Sequence, residues 1–363
     1  MTVKSLDSGI LLIDKPEDIT SFAVVSRARK ILGIKRVGHL GTLDPFATGV
    51  LPLAFNKATR LAQYLLEHDK IYQVTVELGL ATDTMDKKGE VIASTPLTRE
   101  YMEFLLAGDR REIKAAVASL IGSSKQLPPM YSAVKVAGKP LYYYARRGEQ
   151  VAYAARDVVV FSAELLDVVK TYSHLKPELE TLRLVLRIHC SKGTYIRVLA
   201  DELGRRLGNV AYAVELRRLA VGGFVLENAV GLETLEDLYF TKLAGDSQAL
   251  LKYLFSRGNI IKMEQAMQSY PLYDLSWKEA RAIAAGRAIK RQDKFSAPGL
   301  SSASNALRAE SDSVRQILGL LWQGKLLAVG QCEVLAEGDC LIRPKTVFVT
   351  SQELESEGME FEL

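Results

Sequence analysis

Two stretches far apart in the chain alternate strictly between apolar and polar side chains. In the first, Tyr72, Val74, Val76 and Leu78 fall on one face. In the second, Leu182, Leu184, Leu186, Ile188 and Cys190 do so, with Arg183, Arg187 and His189 opposite. A period of two belongs to an extended strand with one covered face, so both segments are expected in a sheet. Around them lie segments with helical signals. Thr20-Ser21 caps a helix that runs to about Leu32 and ends at Gly33, and Thr98 caps another into the 100–122 region. A further helix is expected from about Lys57 to Glu67. After a turn at Ser191–Gly193, Tyr195, Val198, Leu199, Leu203 and Leu207 repeat at helical spacing. Ile10–Ile13 reads as a short buried strand, and residues 36–52, rich in glycine and proline, read as an ordered loop. Strands and helices mix without a regular βαβ repeat. The expected class is α+β, built on a mixed, largely antiparallel sheet flanked by helices.

The character changes after about residue 240. Leu250–Phe255 and Met263–Met267 read as connecting helices, and a small β-rich module follows from about Pro271. Its strands are expected at Ile317–Trp322, Leu326–Val329 and Thr346–Val349, with the Ser- and Ala-rich stretch Ser296–Ser313 as a mobile loop. The expected organisation is a catalytic unit over 1–240, connecting helices over 241–270, the small module over 271–350, and an acidic, mobile tail over 351–363. A chain of 363 residues suits that division.

Composition removes some function classes. The three cysteines, Cys190, Cys332 and Cys340, lack zinc-site spacing, and an odd count argues against a disulfide framework. The four histidines, His39, His68, His174 and His189, lack HxxxH spacing, so no metal is expected. Thr82–Gly89 contains Asp83 and Asp86 but not the ligand order of a calcium loop. The apolar run Ile10–Ile13 is too short for a signal-peptide core, and no segment is long enough to span a membrane. A cytoplasmic monomer is expected. Net charge is only +4, but Arg183, Arg187, Lys192, Arg197, Arg205, Arg206, Arg217 and Arg218 concentrate within one stretch. Such a cluster can meet phosphate or can be a solvated helix face.

The stretch Gly38-His39-Leu40-Gly41-Thr42-Leu43-Asp44-Pro45-Phe46-Ala47-Thr48-Gly49-Val50-Leu51 presents one carboxylate in a glycine-punctuated loop. Pro45 biases Asp44 away from helix. On these residues alone, an Asp-Pro turn without chemistry is the simpler account.

That stretch closely resembles the catalytic motif of the TruB family of tRNA pseudouridine synthases. Further motifs resemble the same family in the same order across about 15 to 224. They are Lys15-Pro16 with Thr20-Ser21; Tyr72 with Leu78-Gly79 and Thr82–Gly89; Gln126–Lys135 with Gly138, Tyr142 and Ala145-Arg146; Cys190–Arg197; and Leu216-Arg217-Arg218. Asp18 stands where the family often has glycine. The resemblance implies an isomerase that turns one uridine of the tRNA T loop into pseudouridine by flipping the base out, with no cofactor. It implies Asp44 as the catalytic carboxylate, Arg197 as its partner, and Tyr72 as both a stacking surface for the uracil and a catalytic group. It implies His39 in the space left by the flipped base, Tyr195 and Leu216 around the base, and Asp86 in support. Each of these side chains also has an ordinary account, as core packing, a satisfied loop histidine or a surface arginine. Lys87, Lys88, Arg146, Arg147, Arg205, Arg206, Arg217 and Arg218 are candidates for RNA phosphate contact. Leu275–Gly286, Gly330 and Pro344–Phe348 look like the small PUA-type RNA-binding domain of relatives, interrupted by the Ser-rich insertion. The competing reading is an RNA chaperone that folds tRNA by binding alone, and the pair Asp44 and Arg197 separates the two because a binder needs neither.

Overall fold

The computed structural model describes residues 7–291, 315–334 and 339–359. Its main sheet uses β1 (Gly9–Lys15), β2 (Val37–His39), β3 (Thr48–Phe55), β4 (Lys70–Leu78), β5 (Gly122–Gln126), β6 (Arg156–Tyr172), β7 (Glu180–Cys190), β8 (Ala211–Val221) and β9 (Val230–Gly231). Across the sheet the order is β9-β1-β3-β8-β4-β7-β6-β5, with β2 beside β3. Among the described residues of this sheet only β1 with β9 and β3 with β8 pair in parallel, so it is mixed and largely antiparallel as expected.

The alternating stretches occupy β4 and β7, paired antiparallel with Tyr72 opposite Ile188. Tyr72, Val74, Val76 and Leu78 are buried in the main core with Leu182–Cys190 of the same parity. The other face of β4 is not simply solvated. Glu77 is fully buried, and it accepts from Ser173 Oγ at 2.6 Å, Tyr212 Oη at 2.7 Å and Arg183 Nε at 2.9 Å. The loop after β6 folds over this end of the strand, and the carboxylate is kept buried by those donors.

Helix α1 (Ser21–Leu32) begins where its cap predicts: Thr20 Oγ1 accepts from Ala23 N at 3.1 Å. Such a cap stabilises a helix by about 1 kcal/mol. Gly33 ends it with φ of 65°. Val24, Val25, Ala28, Ile31 and Leu32 face the core. Helix α2 (Arg99–Ala118) is capped by Thr98, but Gly108, Asp109 and Arg110 have positive φ and break it into two segments. Helix α3 (Ile196–Arg206) follows β7. The helix expected at 57–67 is a 3-10 turn over Asn56–Leu61 followed by a short helix, Ala62–Leu65.

The loop expected over 36–52 is corrected. Val37–His39 and Thr48–Phe55 are strands paired to each other, which leaves only 40–47 as loop. Gly49 misled the reading because it lies inside a strand. Its φ is 105°, and a Cβ there would stand 2.2 Å from the Arg218 carbonyl oxygen. The glycine is what lets β8 pair closely with β3.

Helices α4 (Ser247–Ser256) and α5 (Met263–Ala266) lead to a second sheet. It comprises β10 (Leu272–Asp274), β11 (Ile289–Arg291), β12 (Arg315–Trp322), β13 (Lys325–Val334) and β14 (Cys340–Val347), in the order β10-β12-β13-β14-β11, with α6 (Trp277–Ala284) against it. The last strand therefore starts earlier than expected. The loop expected at Ser296–Ser313 lies outside the described residues. The odd cysteine count argues against a disulfide framework, yet Cys332 and Cys340 lie on neighbouring strands with Cα atoms 6.1 Å apart and are joined as a disulfide, while Cys190 stays free and buried. The acidic tail is also corrected over its first part. Ser351–Met359 is a helix, α7, opened by a reciprocal cap in which Thr350 N donates to Glu353 Oε2 at 2.8 Å and Glu353 N to Thr350 Oγ1 at 3.2 Å. Leu354 is fully buried in the core of the small module and anchors the helix.

One further core joins the two sheets. Ile10, Leu12, Val50, Ala54 and Leu61 pack with Met263, Met267, Leu321, Leu326, Val329 and Phe348. Strand β1 is thus covered on both faces, since Leu11 and Ile13 enter the main core.

Candidate active site

Asp44 lies in the loop between β2 and β3, and its backbone is held from two sides. On one, Ser21 Oγ donates to Leu43 O at 3.0 Å and accepts from Leu43 N at 2.9 Å. Lys15 Nζ, at the end of β1, donates to Pro16 O and Ile19 O at 2.8 Å and to Pro45 O at 3.0 Å. Asp18 N reaches Pro45 O at 2.9 Å. Asp18 has φ of 62°, the left-handed conformation for which glycine is the usual residue and aspartate a tolerated one. On the other side Arg218 of β8 donates to Val50 O at 2.8 Å and to Thr42 O and Gly41 O at 3.2 Å. Between these anchors the Asp44 side chain stays 32% exposed.

Arg197, in the first turn of α3, meets it. Its Nε stands 2.8 Å from Asp44 Oδ2, and its side chain is 3% exposed. The Nε–H is not aligned on an acceptor, so this contact is an ion pair and not a hydrogen bond. The guanidinium is aimed by its other end: Nη1 donates to Thr84 O at 2.6 Å, Nη2 donates to Tyr131 O at 3.0 Å, and Nη1 lies 3.3 Å from Asp86 Oδ2. Asp86 is itself buried. Its Oδ1 accepts from Thr84 Oγ1 at 2.8 Å and Lys88 N at 3.0 Å. Burial pushes the Asp86 carboxyl above its usual range, while Arg197 pulls it back. One cation therefore serves two carboxylates, one buried and one partly open to solvent.

Tyr72 is 8% exposed on β4, opposite Arg218 of β8. Burial raises its phenol above the ordinary value, opposed by the charge of Arg218 and aided slightly by Cys190 and Asp44, so the hydroxyl keeps its proton at neutral pH. Tyr195 caps α3, with its main-chain N–H and C=O bonded to Gln126 at 2.7 and 3.1 Å. Burial raises its phenol too, with Asp44 among the acting charges. Leu216 on β8 is buried in the main core with Tyr72. His39 ends β2; its Nδ1 is buried without a hydrogen-bond partner. Burial, then the charge of Arg218, lowers its pKa, which makes the ring neutral at pH 7.

The structure thus brings Asp44 and Arg197 into contact, sets Tyr72 and Tyr195 within the field of Asp44, and links His39 and Tyr72 through Arg218. Lys15 and Arg218 were missed as anchors of the loop. Arg218 was read as a phosphate contact and is corrected: it is 1% exposed and spends its donors on three carbonyls. Arg217 beside it points outward and pairs with Asp14 at 2.7 Å. Lys87 is also largely covered, its side chain 12% exposed and paired with Glu17 at 2.6 Å; on the surface, Lys88 pairs with Asp18, Arg205 with Asp201, Arg206 with Glu202 and Arg147 with Glu149.

Comparison with known sequences decides the family. Residues 29–196 match the sequence model described as "TruB family pseudouridylate synthase (N terminal domain)", and residues 197–267 match "tRNA pseudouridylate synthase B C-terminal domain". A curated protein of Geobacillus kaustophilus, "tRNA pseudouridine synthase B", is 41% identical over 78% of this chain and 90% of its own. One of Ralstonia pickettii with the same name is 36% identical over 88% and 92%. The chain belongs to the TruB family of pseudouridylate synthases. The fold agrees: a chain from "Crystal Structure of a Cbf5-Nop10-Gar1 Complex" superposes with a TM-score of 0.64 over 98% of this chain and 89% of that one, at 22% identity. This TruB-family protein is therefore an RNA-modifying isomerase. A cleft of about 1170 Å³ is lined by His68, Ile71, His189, Tyr270 and Ile317 and not by Asp44 or Arg197. Among the described residues no three His, Cys, Asp or Glu side chains gather as metal ligands, and no helix is long and apolar enough to cross a membrane.

Proposed function

We propose that the protein isomerises one uridine in the T loop of tRNA to pseudouridine and that Asp44 is the catalytic carboxylate. The observation that carries this reading is the Asp44–Arg197 ion pair, one member open to solvent and the other fixed by Thr84, Tyr131 and Asp86. In the reaction the bond from uracil N1 to ribose C1′ breaks, the base turns, and a bond from C5 to C1′ forms. The C5 proton leaves to water and N1 gains one, so neither redox chemistry nor an energy source is required. Asp44 starts it by adding to the ribose or by taking a sugar proton. Arg197 keeps it ionised and oriented. The Tyr72 ring stacks on the flipped uracil, and its protonated hydroxyl can give a proton towards N1 and regain one from water, while water takes the C5 proton. Tyr195 and Leu216 close around the base, and neutral His39 takes the place it left in the loop. The substrate is the folded T stem–loop, read by shape and by the extruded base. The C-terminal sheet is a PUA-like RNA-binding module in this account, and the enzyme acts as a cytoplasmic monomer without metal or cofactor.

The test uses T-arm stem–loops in which each loop uridine is replaced in turn by cytidine. One replacement should abolish turnover and the others should leave it. Turnover that survives every replacement contradicts the assignment of the site. In parallel, Asp44→Asn should lower turnover by at least about 10⁴-fold while binding persists. If wild type binds and refolds the RNA but turns over none of it, the chaperone reading takes its place.

A further inference from the structure

The first turn of α1 is bonded to the catalytic loop. Ser21 turns inward and holds both main-chain groups of Leu43, the residue before Asp44. The next residue, Phe22, points the other way and is 76% exposed, the most exposed large apolar side chain among the described residues. It takes no part in the core face of the helix, which Val24, Val25, Ala28, Ile31 and Leu32 supply. Ser26, Arg29 and Lys30 follow Phe22 on the same exposed face at helical spacing, and all three are exposed. Arg27 completes a helix with three cationic residues and no acidic one; it pairs with Glu236 at 3.5 Å.

An exposed aromatic ring on the helical turn that is bonded to the Asp44 loop, with cations about 10 to 12 Å further along one helix face, matches a nucleic-acid strand. The ring suits an unpaired base, and the cations lie about two phosphates away. We propose that the exposed face of α1 is a contact surface for the substrate RNA, with Phe22 stacking on an unpaired loop base next to the flipped uridine and Arg29 and Lys30 meeting the backbone. This rests on the T-loop reading above. It assigns Phe22 to positioning, since the ring reaches no reacting atom.

Phe22→Ala should raise the Kd for T-arm RNA about tenfold, within the range of one base–aromatic stack, with the single-turnover rate at saturating RNA little altered. Phe22→Trp should restore affinity. RNAs made abasic at each unpaired loop position other than the target should include one for which Phe22→Ala costs nothing further. Arg29→Ala with Lys30→Ala should weaken binding and flatten the dependence of log Kd on log salt by about one to two. Kd values within twofold of wild type for both variants overturn the proposal. So does an equal loss from Phe22→Ala on every abasic RNA, or a self-association of wild type that Phe22→Ala abolishes, which would make the ring a protein contact. Wild-type turnover in the same series separates the two claims. If RNA binds but does not react, the catalytic reading fails while the α1 variants still report on the contact.

Discussion

At the scale of the residue, the site depends on how few donors aim Arg197. A lysine in its place would keep the charge but could not bridge Thr84 O, Tyr131 O and both carboxylates. Arg197→Lys should therefore lower the saturated rate by at least about 10²-fold with RNA affinity largely kept, as single-turnover and binding assays would show. A variant with unaltered rate would mean that the pair is structural. Two buried lysines carry a pH signature. Burial lowers Lys15 and Lys70 each from 10.5 to about 8. Between those values the unfolded chain holds protons that the folded chain has released. Their contribution to stability therefore rises with pH from about 8 to 10.5 and is level below. Urea midpoints followed across that window should show the rise, and Lys70→Met should reduce it. The pairing of Asp44 with Arg197 is legible in the order of their motifs, and the structure brings the two side chains into contact. Arg218 was not legible: two adjacent arginines on a strand look alike, and only the register against β3 and β4 turns Arg217 outward and Arg218 inward. Lys15 belongs to a motif, but nothing in Lys15-Pro16 shows that its ammonium is enclosed by three carbonyls.

At the scale of the element, the strands of strict alternation and the capped helix α1 fell where the sequence placed them, because period and cap are local properties. The failures came where a distant element decided the outcome. Gly49 reads as loop and is strand, since the reason for the glycine is the backbone of β8. Gly49→Ala adds a methyl group at φ of 105° against that backbone, and should destabilise the protein by about 2 to 4 kcal/mol. A chemical denaturation curve measures this; a loss below about 0.5 kcal/mol would show that β3 and β8 can separate freely. Polar Glu77 predicts an open face of β4, which the loop after β6 covers. Helix α2 breaks at Gly108–Arg110, where glycine followed by two left-handed residues leaves no periodic signal.

At the scale of the whole molecule, the C-terminal module shares a core with the main sheet and is not a pendant. Tyr64 Oη meets Thr346 Oγ1 at 2.9 Å, and Phe348 and Leu326 cover Leu12 and Ile10 from the far side of β1. The sequence marked a change of character near residue 240 but could not show this contact, because the alternate residues of Ile10–Ile13 serve two different cores. β1 also positions Lys15, so the shared core reaches the Asp44 loop through one strand. The central claim is that the Asp44–Arg197 pair carries uridine isomerisation. Its most direct test is tritium release from T-arm RNA labelled at uridine C5, with no metal or cofactor added, for wild type beside Asp44→Asn. The account predicts stoichiometric release by wild type and none by the variant. Equal release by both, or none by a wild type that binds the RNA tightly, would contradict it.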